Sequence, residues 1–283
     1  EKFFAGHPLG NSVLGTPDTI GALEREQMLD YFRARYAPNN LTLVLAGNYD
    51  WTRTLAQVQA LTEEWEPQDT GREFPQLQAR SGHETIVDEK LKRSHMGLWA
   101  PGPSAQSDLR YAAAILGSVV GDSSGSRLYW SLVDKGLADA AQLWHDPGDG
   151  AGAFMGYLSS APERAQMVLD TARGILADLR KEPPTAEEWE RARRKLATSI
   201  TLQGETPFGR LMSLGNSYLY NQAYVSVDDL LDEVMGATRE QAQAIIDEGV
   251  FEQVFSLTLG PSANAVGAGA EDAQFTAAAH GRD

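Results

Sequence analysis

Apolar residues recur at helical spacing at Leu23, Met28, Leu29, Phe32 and Tyr36, and Pro38 stops the helix they predict. Leu41-Thr-Leu-Val-Leu-Ala46 then alternates as a short strand, with Leu41, Leu43 and Leu45 on its inward side. Asp50 is placed to cap a helix through Leu55, Val58 and Leu61. From Glu66 to Gly82 the chain turns polar and carries Pro67, Gly71, Pro75 and Gly82, which reads as a linker over 67–82.

Beyond the linker the pattern predicts strands at Thr85–Leu91 and His95–Ala100, then helices around Leu109–Val119 and Arg127–Val133. Further strands are expected near Ala141–Trp144 and Ala153–Ser159. Ser160 is placed to cap a long amphipathic helix striped with Val168, Leu169, Ala172, Ile175, Leu176 and Leu179, which Pro183-Pro184 ends. Thr185 with Glu188 spells a capping box for another long helix through Trp189, Leu196 and Ile200. Shorter helices follow around Phe208–Tyr220 and Val227–Val234. A last helix, opened by Thr238 with Gln241, leads to the strand Phe255–Leu259.

Two of these helix–strand units repeat each other. Arg25-Glu26-Gln27 recurs as Arg239-Glu240-Gln241, and in the same ungapped register Leu41–Leu45 returns as Phe255-Ser-Leu-Thr-Leu259. Identical spacing between two matched elements favours duplication over coincidence. The reading is therefore an α+β chain of duplicated domains, each an antiparallel sheet covered by helices, with the first copy truncated. Residues 1–66 form the tail of that first domain, 67–82 the linker, 83–262 a complete second domain, and 263–283 a flexible Ala/Gly-rich tail. The natural chain is expected to extend upstream.

Composition narrows the chemistry. The 283 residues include no cysteine, which excludes a disulfide framework, thiolate metal sites and a thiol nucleophile. The formal charge of −15 disfavours nucleic acid and anionic membrane as main partners, and no apolar run is long enough to span a bilayer. The five histidines, His7, His83, His95, His145 and His280, form neither H-x-x-E-H nor H-x-x-x-H, so no metal site is read here and solvent-exposed imidazoles are expected. Gly121-Asp122-Ser123-Ser124-Gly125 fits G-x-S-x-G, with His145 available as a base, but the preceding Tyr111–Val120 reads as helix rather than strand. A Gly/Ser turn between helices is the favoured reading, and a serine hydrolase using Ser123 is a distant alternative. No phosphate-binding glycine motif has the required spacing.

Three blocks carry a resemblance. His7-Pro-Leu-Gly-Asn-Ser-Val-Leu-Gly-Thr16, Glu24-Arg-Glu-Gln-Met-Leu-Asp-Tyr31 and Asn39-Asn-Leu-Thr-Leu-Val-Leu-Ala-Gly-Asn48 resemble the pitrilysin/insulinase-type zinc peptidases, in the branch of the processing peptidases and their bacterial relatives. Ser126-Arg-Leu-Tyr129, Lys135-Gly-Leu-Ala138 and Glu190-Arg-Ala-Arg-Arg-Lys-Leu196 are similar to the domain that follows in that family. The resemblance implies paired α+β domains of the processing-peptidase or LuxS-like metallohydrolase type, with two halves enclosing a cavity for unfolded peptide. It also implies zinc in the full-length enzyme, held by H-x-x-E-H and a later glutamate, all upstream of the His7–Thr16 block. No catalytic or metal-binding residue therefore transfers to this chain.

The resemblance further implies that the C-terminal half helps to hold substrate through an arginine and a tyrosine flanking the Lys135–Ala138 stretch. Val133 and Asp139 stand there instead. What transfers is the loop and helix start at Ser124, Gly125, Ser126 and Arg127 as substrate-binding candidates, set against a purely structural role in which Arg127 pairs with a carboxylate. The expected function is the substrate-enclosing C-terminal half of a zinc metalloendopeptidase, inactive alone and partnered by a catalytic half or homologous subunit. The alternative is a non-catalytic or scaffold subunit of a heterodimeric peptidase. Peptide or unfolded polypeptide is the expected substrate, with basic, extended peptides suiting the acidic balance. A bacterial periplasmic location is preferred over a cytoplasmic one.

Overall fold

The computed structural model describes residues 1–71, 75, 77, 78 and 80–261. In chain order its main elements are α1 (Pro17–Gly21), α2 (Arg25–Arg35), α3 (Trp51–Thr62), β1 (Gly82–Val87), β2 (Ser94–Gly102), α4 (Arg110–Gly121), β3 (Ala140–Pro147), β4 (Gly152–Ser160), α5 (Ala165–Ala177), α6 (Ala186–Gly204), α7 (Pro207–Asn221), α8 (Val227–Gly236), α9 (Arg239–Asp247) and β5 (Phe255–Gly260). The chain divides into two compact units. One comprises the described part of Glu1–Gln76 with Ile200–Val227. The other comprises Leu77–Ser199 with the described part of Asp228–Asp283. The tail assigned to 263–283, His280 and part of the 67–82 linker lie outside the described residues.

The second unit is an α+β domain built on one five-stranded sheet in the order β1-β5-β2-β4-β3. Strand alternation divides its side chains between two faces. Ser94, Met96, Leu98 and Ala100 of β2, Ala141, Leu143 and His145 of β3, and Phe154 and Leu158 of β4 are buried on the face that meets the helices. Ile115 and Leu116 of α4, Val168 and Leu169 of α5, and Ile245 of α9 complete that core. Each such side chain contributes about 1.5–3 kcal/mol by leaving water. Helix α4 lies so close to β3 that a Cβ at Gly121 would sit 2.0 Å from the Leu143 amide nitrogen. Glycine is required by that approach.

Three expectations need correcting. The β1–β5 pair is parallel, while β2–β5, β2–β4 and β3–β4 are antiparallel, so the sheet is mixed. Ser160 does not cap α5. It ends β4 opposite Ser94, its hydroxyl donates to the Ala161 carbonyl, and a 3-10 turn at Pro162–Arg164 precedes the helix. His145 is buried rather than exposed, because alternation along β3 turns it under the helices. Its Nε2 donates to the Pro103 carbonyl at 2.8 Å, and burial lowers its pKa more than that bond and nearby Asp146 raise it. His83 is likewise half-buried, its Nδ1 2.8 Å from the Ser256 hydroxyl.

Among its described residues the first unit contains helices but no strand. Leu41–Ala46 is extended but unpaired, where the pattern predicts a strand. The repeat supplies the physical reason. Its counterpart β5 is a central strand, bonded to β1 on one side and β2 on the other, and a strand's main-chain groups need such neighbours. The matched helices do agree in detail. The Glu24 amide donates to the Gln27 side chain at 3.0 Å, as the Thr238 amide does to Gln241 at 2.9 Å, and in both copies a 3-10 turn precedes the extended segment. Phe3 and Ala37 are the buried apolar side chains of this unit among the described residues. Leu41, Leu43, Trp51, Tyr218 and Tyr224 remain exposed around an apolar groove of about 620 Å³.

Candidate functional site

The loop leaving α4 holds the four residues singled out from sequence. Asp122 ends the helix, and Gly125 adopts φ +77° to reverse the chain. Ser126 is buried. Its hydroxyl donates to the Asp122 carbonyl at 2.7 Å and accepts the Tyr129 amide at 3.1 Å, which opens the next helical turn. That turn widens into a π-helical segment at Tyr129–Val133.

Arg127 is committed to its own fold. Nε and Nη2 bind the two carboxylate oxygens of Glu188 at 2.8 and 2.9 Å, while Nη1 and Nη2 donate to the carbonyls of Glu182 and Pro183. Glu188 also accepts the Thr185 amide at 2.8 Å, so the capping box read from sequence and the Arg127 fork share one carboxylate. The fork with Arg127 is the main reason that the Glu188 carboxyl falls from 4.5 to about 2, against the opposing effect of burial.

Ser123 and Ser124 are the exposed hydroxyls of the loop, and Gly125 is half-buried with its carbonyl accepting Arg191 at 2.7 Å. They border a small hollow of about 310 Å³ with Asp122, Arg191 and Lys195. Burial would raise the Asp122 carboxyl. The Lys195 ammonium 2.7 Å away and the hydroxyls of Ser118 and Ser123 outweigh it, and the net effect is a lowered pKa. The serine-hydrolase reading fares poorly, because a helix rather than a strand enters the loop and His145 is buried with Nε2 engaged by Pro103.

At the second pair of positions, Val133 ends the π-helical segment and offers no side-chain hydrogen bond. The Asp139 carboxylate pairs with Arg93, and its amide donates to Ser159. Among the described residues no group of three or more His, Cys, Asp or Glu side chains could hold a metal ion, so the donors present do not fit a zinc centre.

The face of the sheet turned away from the core is the feature that sequence reading passed over. Cross-strand pairing aligns Trp144 with Met155, Met155 with Trp99, and Trp99 with Phe255, forming one row over four strands. Trp144 is 44% exposed and Met155 and Trp99 half-buried. The next row carries Gln142, Tyr157, Gly97 and Leu257. A Cβ at Gly97 would lie 2.0 Å from the Trp99 ring, so the indole lies across the bare glycine. The available signal was that Ser94–Ala100 places Met96 and Leu98 in one register and Trp99 in the other. A strand apolar on both faces expects cover on both.

Comparison with known proteins matches residues 22–196 to the family described as the peptidase M16 inactive domain. A protein of Streptomyces coelicolor named an uncharacterized zinc protease is 28% identical over 270 residues, covering 92% of this chain and 59% of its own length. The Bacillus subtilis zinc protease YmxG is 23% identical, covering 92% and 64% respectively. The crystal structure of a peptidase M16 inactive domain from Pseudomonas fluorescens superposes with TM-score 0.82 at 19% identity, over 92% of this chain and 63% of that one. A protease from Helicobacter pylori gives TM-score 0.73 at 16% identity, over 88% and 62%. The chain thus spans about three-fifths of the length of the curated relatives it matches. No helix of the described residues is long and apolar enough to cross a membrane.

Proposed function

Since this chain belongs to the peptidase M16 family through its inactive domain, we propose that it is the substrate-enclosing half of a zinc-dependent endopeptidase and itself holds no metal. The observation that carries the reading is the second face of the sheet, whose Trp144–Met155–Trp99 row stays half-exposed while the first face is sealed by helices. Such a face suits one wall of a chamber for unfolded peptide. Its contribution is positioning and exclusion of water rather than bond breaking. Ser124 and Gly125 carry the loop's proposed substrate contact, and Ser126 and Arg127 act as positioning residues that hold it in place.

The test compares peptide hydrolysis by three samples: this chain, the zinc-bearing half, and the two together. The expected result is chelator-sensitive cleavage of a fluorogenic unfolded peptide by the combination and none by this chain. Chelator-sensitive hydrolysis by this chain alone, or full activity of the other half without it, overturns the proposal. A second reading, a non-catalytic subunit of a heterodimer, draws support from Val133 and from the Asp139 carboxylate paired with Arg93, where substrate-anchoring side chains are expected. A degenerate H-x-x-E-H region in the natural upstream sequence would favour that second reading.

A further inference from the structure

We infer that the open face of the sheet seats an extended polypeptide bearing bulky apolar side chains and lysine or arginine, with the Trp144–Met155–Trp99 row as its apolar shelf. This rests on the reading of the chain as a substrate-enclosing half and goes further by naming the surface and the class of chain it takes. Neighbouring strands stand about 4.8 Å apart, so a row over four strands offers a shelf about 14 Å long. The Trp99 indole, laid across Gly97, keeps the shelf flat beside Met155, and the Trp144 ring at the outer strand is the part most open to solvent. A flexible thioether between two indoles adapts to apolar side chains of differing shape.

Polar groups adjoin the shelf on the same face. The Tyr157 hydroxyl lies 2.7 Å from Nδ1 of His95, and Gln142 stands directly across from Tyr157. These groups can donate to and accept from the main chain of a bound peptide.

Charge selects the occupant. The strand residues of this face include two carboxylates, Glu84 and Asp146, and no lysine or arginine. Arg80, just before β1, is taken up by Glu84 at 3.9 Å and by the ring of Phe255 at 5.8 Å. Exposed Asp146 lies two residues along β3 from Trp144, on the same face. A ligand cation at that end meets a carboxylate and an indole face together. An acidic peptide meets only repulsion there, and the whole chain, at −15, acts in the same sense.

The test uses the full 283-residue chain and a short unfolded peptide carrying lysines around a central benzoylphenylalanine, with a glutamate-substituted peptide as control. Irradiation is expected to give saturable adducts on Met155 or Trp144, mapped by mass spectrometry and displaced by the unlabelled lysine peptide. Trp144→Ala is expected to weaken binding about tenfold, as loss of a central aromatic contact does. Asp146→Asn is expected to weaken the lysine peptide about threefold and leave the glutamate peptide unchanged. Gly97→Ala, which displaces the Trp99 indole, provides a second lesion on the same shelf, and thermal unfolding reports whether each variant is folded.

Any of several results overturns the inference: no saturable adduct, adducts mapped elsewhere, equal capture of the glutamate peptide, or labelling indifferent to both Trp144→Ala and Gly97→Ala. A concentration-dependent dimer in sedimentation that Trp144→Glu dissociates would assign the face to a second copy, and so overturn it as well. Should the peptide bind here while the combined halves fail to cleave it, the peptidase reading fails and this one stands.

Discussion

Replacing Glu188 by Gln removes one charge while keeping an oxygen that still accepts the Thr185 amide, so the capping box survives and the ion pair does not. In the native chain Glu188 is held in a two-pronged contact with Arg127, and the two side chains are 20% and 18% exposed. A carboxyl lowered from 4.5 to about 2 corresponds to about 3 kcal/mol at 1.36 kcal/mol per unit. Solvent reaching the pair reduces this, so the expected loss at pH 7 is about 2 kcal/mol. Because the folded pKa is the lower one, the stabilisation is complete above about pH 4.5 and fades as pH falls toward about 2. Urea unfolding of the wild type and Glu188→Gln at pH 7, 4 and 2.5 measures both parts. A difference below about 0.5 kcal/mol at pH 7, or one that does not shrink on acidification, refutes the reasoning.

Two further substitutions probe the core of the same domain. Gly121→Ala places a methyl group 2.0 Å from the Leu143 amide nitrogen, and because backbone cannot swing aside the expected loss is roughly 3 kcal/mol or more. A melting temperature within a degree or so of wild type would show that α4 and β3 can separate freely. Burial lowers the His145 pKa below the ordinary value of about 6.5, so the unfolded chain binds a proton that the fold resists. Stability should therefore be full above that pH and fall below it. His145→Gln is expected to lessen the drop between pH 7.5 and 5.5, and an unchanged drop would assign it to other groups.

Much of the fold was legible because its signals are local. Asp50, Thr185 and Thr238 cap the helices that their patterns predict, since a side-chain oxygen two or three residues before an orphan amide acts without help from distant chain. Ser160 carries the same residue type but lies on β4, and sheet pairing with Ser94 decides its conformation instead. Leu41–Ala46 has a strand's alternation and no neighbouring strand in its unit, so pattern alone left it extended and unpaired. The parallel union of β1 with β5 joins segments far apart in sequence, and no local feature announces it. His145 and the aromatic row depended on which register of each strand turns inward, which the helices decide.

Of the four loop residues, Arg127 had a visible competing role, because Glu188 stands three residues after Thr185 at the start of α6. The structure shows that pairing. The open face could be read only as an excess of apolar positions in β2, β3 and β4, without a reason for the excess.

The last strand of the sheet does not join at an edge. It enters between the first two, so that His83 meets Ser256 across 173 residues. During synthesis, β2, β4 and β3 can assemble while β1 waits detached, and the sheet closes only once Gly260 has left the ribosome. Until that moment the nascent chain exposes two unpaired strand borders, a state in which a holding chaperone has most to bind.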